Sequence, residues 1–174
     1  MEECALVKPD ESLLDEIRSY RNAFLSAGDP MHGTGPLRRM ETPAEWLAFN
    51  RAAENPDTVP EGFVPADQFA WVRASDGKIV GMIQLRQELN DFLRQSGGHI
   101  GYSVHPDERR KGHATRMLAE CLSVCRGYKL ERVLVTCRTD NEGSRRTILA
   151  NGGVYENTVS CDDGAAYERY WITL

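Results

Sequence analysis

No stretch of this chain stays apolar for long enough to cross a bilayer, and its first residues lack the charged, apolar and small-residue order of a secretory signal. A cytoplasmic protein without a membrane partner is the expectation. Neither the phosphate loop GxxxxGK followed by Ser or Thr nor the dinucleotide fingerprint GxGxxG occurs, which removes two common nucleotide-binding classes. No CxxC pair occurs, and the five cysteines (Cys4, Cys121, Cys125, Cys137, Cys161) are an odd number. Zinc ribbons and a disulfide framework are therefore disfavoured, and no metal is expected. Positive charge is also scarce: 21 Lys and Arg against 26 Asp and Glu leave −5. A nucleic-acid partner is not expected from that balance. There is no internal repeat and no low-complexity tract.

What is present fits one enzyme-sized domain over residues 1–174, with 41% hydrophobic residues to build a core. Cys4–Val7 reads as an edge strand. Pro9-Asp10 opens a helix carrying Leu13, Leu14, Ile17, Tyr20 and Phe24, stopped by Gly28 and Pro30. A glycine- and proline-rich loop, 29–39, follows. Thr42, Pro43 and Glu45 spell a capping box for a second helix. Residues 55–67 are a proline-rich excursion, either a packed surface loop or a wall over a cleft. Phe69–Arg73 and Ile79–Arg86 are strands around the hairpin signal Ser75-Asp76-Gly77-Lys78. Later come the strand 132–137, a helix 141–150, and strands 154–160 and 167–173 around Asp162-Asp163-Gly164. The order β-α-α-β-β-β-α-β-α-β-β predicts an α/β (α+β) fold, a mixed sheet with helices on both faces.

The chain is organised around residues 98–117, GHIGYSVHPDERRKGHATRM. A short strand (Ile100, Tyr102, Val104) enters the turn His105-Pro106-Asp107. Then comes a basic loop with one glycine (Arg109-Arg110-Lys111-Gly112), and a helix with one apolar face (Ala114, Met117, Leu118, Cys121, Leu122, Cys125). Cys121 and Cys125 on that face read as buried thiols. Unpaired N–H groups and the helix dipole make such a helix start an anion site, and cations cluster there only if an anion is near. This turn is expected to hold a pyrophosphate.

On these residues the sequence resembles the GNAT superfamily of N-acetyltransferases. Its acetyl-CoA motif, Arg or Gln, two residues, Gly, one residue, Gly or Ala, stands here as Arg109-Arg110-Lys111-Gly112-His113-Ala114. A second segment, Asn141-Glu142-Gly143-Ser144, follows the strand RVLVTC. Arg86-Gln87-Glu88-Leu89-Asn90 and Gly97–Val104 further resemble a bacterial subgroup of predicted acetyltransferases. The resemblance implies a mostly antiparallel central sheet in which two parallel strands splay at the coenzyme. It implies acetyl-CoA as co-substrate, held by backbone N–H groups of Arg110–Ala114, with Arg109 and Thr115 flanking. Tyr102, Ser103 and Val104 would pair with the pantetheine, and Asn141 and Ser144 would line the other side. For Asn141 an ordinary helix cap is an equal reading.

Acetyl transfer needs a deprotonated amine, donors for the oxyanion and an exit for the thiolate. Neutralising a lysine at pH 7 costs roughly 4–5 kcal/mol and an α-amine roughly 1–1.5. His99 and Glu88 are the candidate bases; each also has a structural reading, a histidine bonding backbone and a solvated loop acid. His32 and His105 rank behind, His105 as an exposed turn residue. Many family members carry a tyrosine acid seven residues after the motif asparagine. Here that position is Ile148, so Tyr155, water or an unassisted thiolate would serve. The expected function is N-acetyl transfer to a primary amine, on a small molecule or peptide, by direct attack in a ternary complex. The alternative is a coenzyme-binding sensor without turnover. Glu41, Glu45, Glu61, Asp162 and Asp163 are acids that would attract a cationic acceptor. A homodimer is compatible with the sequence.

Overall fold

The computed structural model describes residues 2–162 and 164–174, so Asp163 lies outside it. Seven strands and four helices alternate in the expected order: β1 (Cys4–Val7), α1 (Leu14–Ala27), α2 (Pro43–Ala53), β2 (Ala66–Arg73), β3 (Ile79–Arg86), β4 (Ile100–Val104), α3 (His113–Cys125), β5 (Arg132–Arg138), α4 (Glu142–Ala150), β6 (Val154–Ser160) and β7 (Ala166–Thr173).

Local chemistry sets most boundaries. Gly28 ends α1 in the left-handed region, φ 69°. The Thr42 hydroxyl accepts from the Glu45 N–H at 3.2 Å and the Glu45 carboxylate accepts from the Thr42 N–H at 3.1 Å. That capping box, with Pro43 in the first turn, starts α2 as expected. β2 begins at Ala66, earlier than its aromatic run indicated, because Pro65 and Ala66 are already buried against the sheet. The polar connection after β3 winds into a π-helical turn, Leu93–Gly97.

The strands form two antiparallel sheets, β1-β2-β3-β4 and β5-β7-β6. Hydrogen bonds join them beside β4. His99, just before β4, donates its N–H to the Leu134 carbonyl at 2.7 Å and accepts the Leu134 N–H on Nδ1 at 2.9 Å. Beyond that joint the described residues show no ladder between β4 and β5. Helices cover both faces. α3 and α4 pack on one, where Met117, Leu118, Cys121 and Ile148 join Ile83, Ile100, Val133 and Val135. α1 and α2 pack on the other, where Ile17, Tyr20, Phe24 and Trp46 join Ala70 and Met82. Cys121 and Cys125 are free and buried, as the helix face indicated. No helix of the described residues is long and apolar enough to cross a membrane.

Candidate active site

β4 has two faces and one free edge, and these divide the site. Side chains alternate along a strand. Ile100, Tyr102 and Val104 therefore pack toward α3 and α4, whereas Ser103 turns to the α1 face, where its hydroxyl lies 3.0 Å from that of Tyr20 and donates to the His32 carbonyl at 2.6 Å. Backbone direction alternates too. The His105 N–H donates to Val80 and the His99 carbonyl accepts from Arg86. The backbone of Tyr102, out of phase with these, faces the edge away from β3. Of the other predicted pairing groups there, the Val104 carbonyl already accepts from Arg109 Nε at 3.3 Å.

The turn into α3 is shaped by two left-handed residues, Arg110 at φ 63° and Gly112 at φ 81°. Arg110 is the one described non-glycine residue with positive φ. A non-glycine residue there costs about 1–2 kcal/mol, and such strain gathers at ligand sites. Alternating backbone handedness turns successive N–H groups inward into an anion-binding concavity. α3 has no side-chain cap, whereas Thr42 caps α2 and Asn141 caps α4. Gly112 has open space where a Cβ would stand, so its φ, rather than any internal collision, requires glycine. The uncapped N–H groups of His113, Ala114 and Thr115 complete the cradle.

The basic side chains of the motif are not all turned to that cradle. Arg109 pairs with Asp29 at 2.6 Å and lies over the Phe24 ring, so its guanidinium is committed to the α1 side. Lys111 pairs with the buried Glu108 at 2.7 Å. His113 is buried and accepts from Trp71 Nε1 at 3.3 Å, so it offers the cradle only its backbone. The side chains of Arg109, Lys111 and His113 are thus engaged within the protein, which leaves the backbone N–H groups expected of Lys111 and His113 as what the turn offers. Arg110 makes no ion pair among the described residues and stays exposed beside the cradle. Glu2, Glu108 and His113 offer ligand atoms within 4.8 Å of one another, but Glu108 already carries Lys78, Lys111 and Arg73. That cluster is an ion-pair network.

Across the free edge, Asn141 Oδ1 accepts from the Ser144 N–H at 3.0 Å, realising the cap reading. The Ser144 hydroxyl meets that of Tyr102 at 2.8 Å. A strand edge, an uncapped helix start and a polar pair at the next helix thus lie along one side of β4.

The model of the acetyltransferase (GNAT) family matches residues 37–152. The chain belongs to the GNAT acetyltransferase family. Its fold is similar to that of a ribosomal-protein-S5-alanine acetyltransferase from Vibrio fischeri, at 18% identity and TM-score 0.74, over 99% of this chain and 94% of that one. A microcin C7 self-immunity acetyltransferase, in complex with acetyl-CoA and AMP, is 16% identical with TM-score 0.66 over 100% and 94% of the two chains. YncA of Salmonella typhimurium, with its cofactor acetyl-CoA, is 14% identical with TM-score 0.67 over 98% and 94%. No curated protein sequence matches the chain.

In this GNAT acyltransferase the expected bases are poorly placed. His99 is buried, and its Nδ1 lone pair is taken by the Leu134 N–H. Its proton therefore sits on Nε2, and burial followed by the charges of Arg94 and Arg86 pulls its pKa down to about 4. It is the joint between the sheets. Glu88 lies exposed in the bend after β3 and makes no hydrogen bond or ion pair among the described residues. His105 is buried, not exposed, and accepts from the Asp107 N–H at 3.3 Å.

The histidine tied to β4 from the loop side is His32, whose carbonyl accepts from the Ser103 hydroxyl at 2.6 Å. The 29–39 loop is pressed onto β4 so closely that a Cβ on Gly33 would collide with the Gly101 carbonyl. His32 itself stays exposed to solvent. Lost hydration on its protein side, then the charges of Arg86 and Arg138, lower its pKa. Sequence alone gave a histidine in a loop; only the contact of Gly33 with Gly101 places it.

Ile148 is fully buried in the core, where no proton donor can stand. Tyr155 is exposed on β6 and bonded to Thr158 at 2.8 Å. Tyr102 is the better-placed phenol. It packs against the Ile148 cluster and reaches Ser144, one turn before Ile148 on α4. Burial raises its pKa above the ordinary tyrosine value, so it remains protonated.

A cavity of about 180 Å³ opens between α2 (Phe49, Ala53) and the end of β3 (Gln84, Arg86), the strand next to β4. The 29–39 and 55–67 loops supply Gly35, Gly62, Phe63 and Val64 to its wall, so the second loop is the cleft wall rather than surface packing. The segment after Tyr155 does not reach it. None of the expected acids lines it: Glu45 is spent in the capping box, Glu41, Glu61 and Asp162 are exposed elsewhere, and Asp163 lies outside the described residues.

Proposed function

We propose that this enzyme transfers acetyl from acetyl-CoA to a primary amine by direct attack within a ternary complex. The observation that carries the reading is the two-sided β4: the cradle, the free edge and Tyr102 on one side, His32 and the cavity on the other. The backbone N–H groups of Arg110–Ala114 and Thr115 hold the pyrophosphate, and Arg110 adds its charge. Charge-assisted bonds of this kind contribute roughly 1.5–3 kcal/mol each. The free backbone of Tyr102 and the N–H of Val104 pair with the pantetheine chain, and Ser103 fixes the loop that carries His32.

The amine nitrogen forms a bond to the thioester carbonyl carbon as the carbon–sulfur bond breaks. One amine proton passes to the neutral imidazole of His32. The departing sulfur takes a proton from the Tyr102 hydroxyl, which is replenished through Ser144 and solvent. A thiol near pKa 8.5 needs only modest help to leave, which explains how Ile148 is tolerated. Incubation with acetyl-CoA and a panel of amines, following free thiol, tests the reading. Saturable thiol release dependent on both substrates is expected. Coenzyme binding without release on any amine would instead establish the sensor alternative.

A further inference from the structure

The cavity between α2 and β3 is not lined for a simple cationic amine. Phe49 of α2, Phe63 and Val64 of the 55–67 loop, and Phe92 and Leu93 after β3 make its wall. Phe49 and Phe63 meet edge to face with ring centroids 5.0 Å apart. Phe63 and Phe92 are 44% and 69% exposed, a large apolar surface to leave at a cavity mouth. An apolar cavity of roughly 150 Å³ takes a benzene-sized group, so about 180 Å³ accommodates an aromatic or branched side chain.

The charged group in the described wall is Arg86. Its Nη1 donates to the carbonyls of Gly97 at 2.8 Å and Gly98 at 3.2 Å. No carboxylate pairs with it among the described residues. Its Nη2 lies beside β4, where a Cβ on Gly101 would come within 3.0 Å. A guanidinium offers five donors in a planar fork, and two carbonyls account for one nitrogen. A desolvated, unpaired cation is costly, and the planar partner that matches the fork is a carboxylate. Gln84, opposite Gly101 in the β3–β4 register, lines the same cavity, and its side chain makes no hydrogen bond among the described residues.

We propose that the acceptor is a free amino acid with an aromatic or branched apolar side chain. Its α-carboxylate pairs with Arg86, its side chain enters among Phe49, Phe63 and Phe92, and its α-amine is left toward β4 and His32. The assignment rests on the transfer reading above and names the substrate class for it. An α-amine is also easier to neutralise than a lysine side chain.

The test is equilibrium binding by calorimetry with coenzyme A present. N-acetyl-L-phenylalanine, the expected product, is compared with its carboxamide, which has the same shape without the charge. At least tenfold tighter binding of the carboxylate is expected; equal affinity, or no binding of either, overturns the proposal. Arg86→Gln should abolish the preference, and its coenzyme affinity reports whether it folds. Phe92→Ala, at an exposed position, should weaken the phenylalanine derivative at least fivefold more than N-acetylalanine; an equal effect overturns the side-chain placement. Turnover separates this proposal from the one it rests on. Carboxylate-selective binding without thiol release from phenylalanine would sink the transfer mechanism alone. Acetylation of phenethylamine as fast as phenylalanine would sink the carboxylate site and leave transfer standing.

Discussion

The Tyr102 hydroxyl lies 2.8 Å from the Ser144 hydroxyl, joining β4 to the first turn of α4. That contact puts a phenol one helical turn from the position that Ile148 fills with hydrocarbon. Tyr102→Phe removes the proposed proton donor and keeps the ring packing. Its kcat should fall roughly 10²-fold, the usual worth of one general acid, with the acetyl-CoA Kd changed less than threefold. Ser144→Ala should cost less, because solvent can still relay to Tyr102. Steady-state thiol release and calorimetry check both.

The cradle makes a separable claim. Gly112→Ala places a side chain at φ 81° with room around it. The cost is then conformational, about 1–2 kcal/mol of stability, relieved only by turning the N–H groups out of the cradle. Coenzyme affinity should drop at least tenfold while kcat at saturating coenzyme stays within threefold. Thermal unfolding and calorimetry on one preparation separate the two effects.

How far these groups could be read from the chain depends on how local their physics is. The capping box at Thr42 and Glu45, the glycine stop at Gly28 and the hairpin at Asp76-Gly77 act within a few residues, so they stand in the sequence as they stand in the fold. The cradle is nearly as local, since strand, turn and helix are contiguous from Ile100 to Met117. His32 and Arg86 are different. The roles proposed for them depend on a loop laid across β4, with Ser103 reaching the His32 carbonyl 71 positions away. No periodicity announces such a contact. His99 misled for the opposite reason: its position on the organising strand was legible, but its Nδ1 bond to Leu134 of the second sheet was not.

That bond ties stability to pH. His99 holds a folded pKa of about 4 against an ordinary value of 6.5. Between those values the unfolded chain takes up a proton that the native joint refuses. Stability is full above about pH 6.5 and falls as the pH drops toward 4, by up to about 3 kcal/mol from this group. His99→Asn keeps an oxygen to accept the Leu134 N–H without titrating. Urea midpoints at pH 7 and pH 5 should differ clearly less in the variant than in the native protein.

The loop over β4 should be required for acceptor chemistry but not for coenzyme binding. Gly33→Ala forces the loop off the Gly101 carbonyl, moving His32 and one wall of the cavity. Its kcat/KM for the amine should drop at least tenfold while coenzyme affinity holds, a split that overall misfolding would not produce.

As the proposed base, His32 should set the direction of the pH–rate profile. Hydration lost on its protein side, then the neighbouring Arg86 and Arg138 charges, lower its pKa, so at neutral pH it is already the free base. The base form is lost as pH falls through that lowered pKa, and kcat should fall with it. His32→Gln retains size and polarity without titrating. Its kcat should be lower by roughly 10²-fold at pH 7.5, and the acid inflection of kcat below pH 6.5 should vanish. The alkaline behaviour, set by the amine and Tyr102, should persist. A glutamine variant that keeps both native turnover and the acid limb would move the base elsewhere on the acceptor face, because His99 has no lone pair left to offer.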